Sequence, residues 1–165
     1  MKIETLGVIG AGQMGSGIAQ VAAASGLAVI LNDIEQGFVD KGRSAIAGNL
    51  ARSVEKGKLD AAAKEAILGR IRGTVRLEEM AAADFVVEAA TERQEIKFQL
   101  FRELDRICRP EVILASNTSS IPIGRIASQT RRPDKVIGMH FMNPVPVMKL
   151  VEVIPGLATS EETLK

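Results

Sequence analysis

Ile3-Glu4-Thr5-Leu6-Gly7-Val8-Ile9-Gly10-Ala11-Gly12-Gln13-Met14-Gly15 opens this chain with an apolar run that ends on glycines. Ile3 to Ile9 reads as a strand. Gln13 to Ser25 reads as a helix, with Met14, Ile18, Val21 and Ala22 at helical spacing and Gly26 as its stop. Gly10, Gly12 and Gly15 fall between the two in a Gly-x-Gly-x-x-Gly pattern. In such a turn the first glycine permits the bend and the second lets backbone approach a pyrophosphate. The third lets helix and strand pack closely, while the helix N-terminus faces the phosphate charge. The pattern alone is weak, because glycines also serve ordinary turns. Its place between strand and helix gives it meaning. Asp33 strengthens it by closing a second apolar strand, Leu27 to Asn32, about twenty residues on. A carboxylate there can take both ribose hydroxyls of NAD and repel the extra phosphate of NADP. The plainer role for Asp33 is a helix N-cap. The glycine context favours NAD, bound by Gly10, Ala11, Gly12, Gln13, Met14, Gly15 and Asp33.

Beyond Asp33 the alternation continues. Phe85 to Glu88, Val112 to Ala115, Val136 to Met139 and Leu150 to Ile154 read as strands. Gln94 to Ile107 reads as an amphipathic helix opened by Thr91, with Gln94 in capping-box spacing. About forty residues separate Asp33 from a strand expected around Thr74 to Arg76, where a crossover needs ~10–15. Ile34 to Lys56 and Ala61 to Arg72 fill that gap as two helices, joined at Gly57-Lys58-Leu59 with Asp60 as N-cap. The fold expected is α/β: a Rossmann-type, doubly wound, mostly parallel sheet with a helical hairpin inserted after the second strand. It is one domain over 1–165, the hairpin occupying about 34–72.

Composition sets outer bounds. Of 165 residues, 46% are apolar and 25% charged, as in a globular domain with a real core. A net charge of +1 gives no strong field for nucleic acid or anionic membrane. No apolar run approaches the ~18 residues of a membrane span, and the first strand leaves no room for a leader, so a cytoplasmic protein is expected. Cys108 is the single cysteine, which leaves neither a disulfide framework nor a Cys-based metal site. It falls on the stripe Ile96, Leu100, Leu104, Ile107, where a packed thiol is expected.

The one histidine, His140, follows the strand Val136 to Met139 and so lies near a carboxyl edge, where open α/β sheets bind ligands. Glu152 is flanked by Leu150, Val151, Val153 and Ile154, and a buried carboxylate is costly unless paired. Solvent exposure or a salt bridge to Lys149 or an arginine would also account for it. The cofactor site favours a His140–Glu152 pair, the minimal apparatus for moving a proton near neutral pH. Asn117-Thr118-Ser119-Ser120 leaves another strand at the same edge. Its polar groups suit either a substrate oxygen or an ordinary turn.

The glycine turn with Met14, the run Val87-Glu88-Ala89-Ala90-Thr91-Glu92, the run Ser116-Asn117-Thr118-Ser119-Ser120 and the segment His140 to Glu152 together resemble the L-3-hydroxyacyl-CoA dehydrogenases, most nearly the short-chain type acting on 3-hydroxybutyryl-CoA. The resemblance implies NAD-dependent oxidation of a 3-hydroxyacyl-CoA, with His140 as catalytic base, Glu152 as its acid partner and Ser119 touching substrate. It also implies that Ala90, Glu92, Lys97, Asn117, Ser119 and Asn143 lie on the cofactor. Glu92 reads equally as a first-turn helix acid. In the family the hairpin meets coenzyme A, at positions that fall here on Asn49 and Lys56 with Arg52 between them on one helix face. A solvated charged face accounts for that stripe equally well. Family members continue into a C-terminal helical domain that closes the acyl pocket, supplies an asparagine and mediates dimerisation. This chain stops at Lys165, so the resemblance implies a cofactor-binding half.

Overall fold

The computed structural model describes residues 2–165. Its sheet has seven strands: β1 (Thr5–Ile9), β2 (Ala28–Asn32), β3 (Ile71–Thr74), β4 (Phe85–Glu88), β5 (Ile113–Ser116), β6 (Val136–Phe141) and β7 (Val151–Pro155). Their order is β3-β2-β1-β4-β5-β6-β7. The first six run parallel and β7 closes the edge antiparallel to β6. The chain works outward from β1 to β3, then returns to set β4 on the other side of β1. Loops diverge at such a reversal and leave a crevice at the carboxyl ends of the strands.

Strand periodicity divides the core in two. Val8, Leu31 and Val87 face helices α1 (Gln13–Ala24), α2 (Gln36–Glu55) and α3 (Ala61–Gly69). Ile9, Ile30, Val86 and Leu114 face α4 (Gln94–Ile107) and α5 (Ile123–Ala127). Both sheet faces are covered, so the central strands are apolar throughout rather than alternating. A short helix, α6 (Glu161–Leu164), ends the described chain.

The Rossmann-type arrangement and the inserted hairpin are as the sequence predicts, and Asp60 caps α3 by accepting from the Ala63 amide at 2.6 Å. Three expectations need correcting. The strand placed at Thr74–Arg76 lies at Ile71–Thr74, because α3 stops at Gly69 and buried Ile71 pairs with Val29. Arg93, not Thr91, is the N-cap of α4, and it makes no side-chain cap bond. The buried face of α4 runs Lys97, Phe101, Leu104 to Cys108 at its C-cap, one step round from the predicted stripe. Cys108 is packed as expected, and burial pushes its thiol up to about 11. Among the described residues, no helix is long and apolar enough to cross a membrane.

Candidate active site

A cleft of about 750 Å³ opens at the reversal point. Gly10–Gln13 form its floor, Asp33 and Ile34 one wall, and Ala89–Thr91 the other. Gly10 has φ +95, and a Cβ there would lie 2.5 Å from the Ala89 carbonyl oxygen. A Cβ on Gly15 would meet the Gly10 carbonyl oxygen at 1.7 Å, which no side chain can do. At Gly12 the situation is the reverse: nothing lies within 4 Å of where a Cβ would stand. That open space sits at the N-terminus of α1, whose N-cap Gly12 offers no side-chain cap and whose first turn carries no acid. The orphan amides and the helix dipole therefore face an unobstructed cradle, which suits a pyrophosphate.

Asp33 stands at the end of β2, with one carboxylate oxygen taking the Ala11 amide at 2.7 Å and the other the Ile34 amide at 2.7 Å. It thus fastens the glycine turn while presenting negative charge to the cleft. Several lining residues went unnoticed in the sequence, among them Phe38 and Lys41 from α2 and Ile96 and Leu100 from α4. The last two belong to the stripe expected to enter the core. They are half-buried at the cleft, while Lys97 takes the buried position.

Two strands along, His140 and Glu152 are direct cross-strand partners in the β6–β7 ladder. Their side chains therefore leave the sheet on one face. Nδ1 of His140 lies 2.7 Å from Oε2 of Glu152. An ionised carboxylate can only accept, so Nδ1 carries the proton in this contact, and in the neutral imidazole Nε2 would keep its lone pair. The expectation of a buried acid is wrong: the Glu152 side chain is 49% exposed and that of His140 25%. β7 is an edge strand with its outer side open, and apolar neighbours in sequence do not bury a residue there.

The segments joining the two regions are bound by charge. Glu88 ends β4 with no exposed surface, and Lys97 of α4 is 1% exposed. Their ends meet at 2.7 Å. Lys97 also donates to the Ala90 carbonyl at 3.4 Å and makes an ion pair with Glu92 at 3.3 Å. Glu92 in turn accepts from the Thr118 hydroxyl, the Ser119 amide at 3.2 Å and the Ser120 hydroxyl at 3.0 Å. Burial pushes the Glu92 carboxyl up, but the Thr118 hydrogen bond, the Lys97 charge and the Ser120 bond outweigh it, leaving a net lowering. Asn117 accepts from the Phe141 amide at 2.8 Å, next to His140, and Asn143 from the Gln13 side chain at 3.1 Å. The Ser119 hydroxyl has no protein partner among the described residues, whereas Ala90 donates its amide to Glu88 at 2.8 Å. A signal for the Glu88–Lys97 pair was present: a charge closing an apolar strand, and a lysine in step with Phe101 and Leu104.

Arg52 on α2 and Lys56 at its C-cap are exposed and, among the described residues, in no ion pair. Asn49 is half-buried, held by Gln20 of α1 at 3.2 Å and by Arg52. Two cations and an amide thus share one face of the hairpin.

A glycine cradle, an acid at the end of β2 and a crevice at the strand reversal define a dinucleotide-binding domain of the Rossmann type. Over residues 5–165 the sequence matches the family described as 3-hydroxyacyl-CoA dehydrogenase, NAD binding domain, and the chain belongs to that family. It is 57% identical over 159 residues to a probable 3-hydroxybutyryl-CoA dehydrogenase of Deinococcus radiodurans, covering 96% of this chain and 57% of the relative. A probable 3-hydroxybutyryl-CoA dehydrogenase of Bacillus subtilis is 54% identical, with 99% and 57% covered. The solved (S)-3-hydroxybutyryl-CoA dehydrogenase of Ralstonia eutropha superposes with a TM-score of 0.97 at 48% identity, covering 98% of this chain and 57% of that one. The chain thus spans a little over half the length of these relatives.

Proposed function

We propose that residues 1–165 form the NAD-binding half of an enzyme that interconverts (S)-3-hydroxyacyl-CoA, typically 3-hydroxybutyryl-CoA, and the 3-ketoacyl-CoA. The observation that carries this reading is the His140–Glu152 pair at 2.7 Å, held at the same sheet edge as an open pyrophosphate cradle. NAD, when bound, supplies the hydride acceptor. Gly10 to Gly15 and Asp33 hold it, and Ala90, Glu92, Lys97, Asn117 and Asn143 shape the nicotinamide end. Nε2 of His140 takes the proton of the substrate hydroxyl. Glu152 keeps the imidazole in the tautomer that permits this and stabilises the imidazolium that results. The Ser119 hydroxyl, free of protein partners among the described residues, steadies the substrate oxygen. Asn49, Arg52 and Lys56 offer charge and hydrogen bonds to the phosphates of coenzyme A.

The exposed apolar residues Val147, Met148, Leu150 and Val153 beside the pair support a further part of the reading. A C-terminal helical domain, as in longer family members, covers them, completes the acyl pocket and mediates dimerisation. The cytoplasm is the expected compartment. Partial exposure of Glu152 favours a second reading, a module that binds NAD without turnover of its own.

Adding acetoacetyl-CoA to this chain with NADH separates the readings. Since it contains no Trp or Tyr, binding is followed by calorimetry or by the fluorescence of NADH itself. NADH consumption supports the dehydrogenase reading, and binding without consumption supports the module. Failure to bind NADH overturns both.

A further inference from the structure

Lys97 and Glu88 do not line the cleft, although Ala89, Ala90, Thr91 and Ile96 around them do. Burying an ion pair costs several kcal/mol per ion in lost hydration, which attraction between the charges only partly offsets, and well-packed apolar side chains are often as stable. Val86 and Val87, the two residues before Glu88 in β4, are apolar and fully packed. Packing alone therefore gives no reason for a carboxylate at the end of that strand.

Its partners do. One oxygen of Glu88 takes Lys97 at 2.7 Å and the Ala90 amide at 2.8 Å. The other takes the Ser116 hydroxyl at 2.6 Å, and that hydroxyl accepts from the Thr118 amide at 3.3 Å. The backbone carbonyl of Glu88 receives the Asn117 amide at 2.8 Å, while the Asn117 side chain holds the Phe141 amide of β6. Through Lys97 the same carboxylate steers Glu92, which holds Ser119 and Ser120. The buried charge is thus tied directly to the ends of β4 and β5, which lead to Ala90–Glu92 and Asn117–Ser119, and the backbone of the same residue reaches β6 through Asn117.

We infer that Glu88 is a positioning residue: its buried carboxylate, acting through Lys97, Ala90 and Ser116, sets the loops after β4 and β5 in register with His140 on β6. This rests on the proposed cofactor site. Glu88 touches neither cofactor nor substrate. It fixes where the residues that touch them stand, and a neutral side chain at this position supplies no counter-charge to the Lys97 ammonium.

The test compares the wild-type chain, Glu88→Gln and a core control, Ile67→Ala on α3, a buried residue that does not line the cleft. Melting temperature, NADH affinity and the amide resonances of Ala90, Ser119 and Phe141 are read for each, well below every melting point. Glu88→Gln is expected to lose about tenfold in NADH affinity, the size of one charge-assisted hydrogen bond. It is also expected to shift the Ala90 and Ser119 resonances. Ile67→Ala should melt earlier yet bind NADH as wild type does. If Glu88→Gln binds NADH within twofold of wild type with those resonances unmoved, or if the control loses affinity equally, the positioning role is overturned. Should Glu88→Gln fail to fold, Ser116→Ala removes only the tie to β5. A shifted Ser119 resonance in that variant supports the inference and an unmoved one overturns it. Failure of the wild-type chain to bind NADH would instead overturn the underlying cofactor reading.

Discussion

His140 and Asp33 each have one interaction that defines what they can do. With Nδ1 against Glu152, the imidazole has a single nitrogen left without a protein partner among the described residues. His140→Gln removes that base and nothing from the glycine cradle. The expected outcome is loss of acetoacetyl-CoA-dependent NADH consumption with NADH affinity held within about twofold, since no cofactor-binding contact is deleted. A large loss of affinity measured by calorimetry would place His140 in the binding site instead. Asp33 differs because its carboxylate both faces the cleft and fastens the Ala11 amide. Asp33→Ala should weaken NADH binding by about tenfold and NADPH binding by less, so preference between them narrows. Unchanged preference in parallel titrations would remove Asp33 from the ribose site.

At the scale of elements, the inserted hairpin depends on its turn. Asp60 satisfies an orphan amide at the start of α3, and Asp60→Ala should cost about 1 kcal/mol. In a domain of this size that lowers the melting temperature by about 2–4 °C, measurable by calorimetry; no change would mean that α3 frays without consequence. Asp60 was legible because a cap is a local device: an acid immediately before an apolar helical run. The glycine turn was legible for the same reason, as were most strands. What misled was information that lives between elements. Thr91 has the spacing of a cap, yet the Glu88 and Glu92 contacts hold its segment differently and α4 starts behind Arg93. Lys97 looks like a surface residue until Glu88, nine positions away in sequence, supplies its counter-charge. Glu152 looks buried from its neighbours, but burial on an edge strand depends on what covers the sheet, and β7 lies open.

Taken as a whole, the molecule is stitched by carboxylates that folding makes more acidic. Burial pushes the Asp105 carboxyl up, but the Arg131 amide and the Arg132 side chain outweigh it, so its pKa falls below the ordinary value. Asp84 is lowered by the Glu4 amide, the Arg109 side chain and the Thr5 amide, and Glu92 by the contacts described above. A carboxyl whose pKa is depressed in the folded state binds its proton more readily once unfolded. Its contribution is therefore complete above the unfolded value, 4.5 for Glu and 3.8 for Asp, and is lost as pH falls through the folded value. Melting temperature should change little from about pH 7 to 5.5 and then fall steadily below about pH 4.5. The Asp105→Asn variant separates this cause from general acid repulsion. Arg132 gives Asp105 its Nε at 2.8 Å and also holds the carbonyls of Asp105 and Cys108, at 2.8 and 3.0 Å. Removing the carboxylate should lower stability at neutral pH and make the acid limb shallower, because one proton uptake is gone from the unfolding reaction. An acid limb as steep as that of wild type would assign the acid sensitivity to other carboxylates and leave Asp105 as a packing residue.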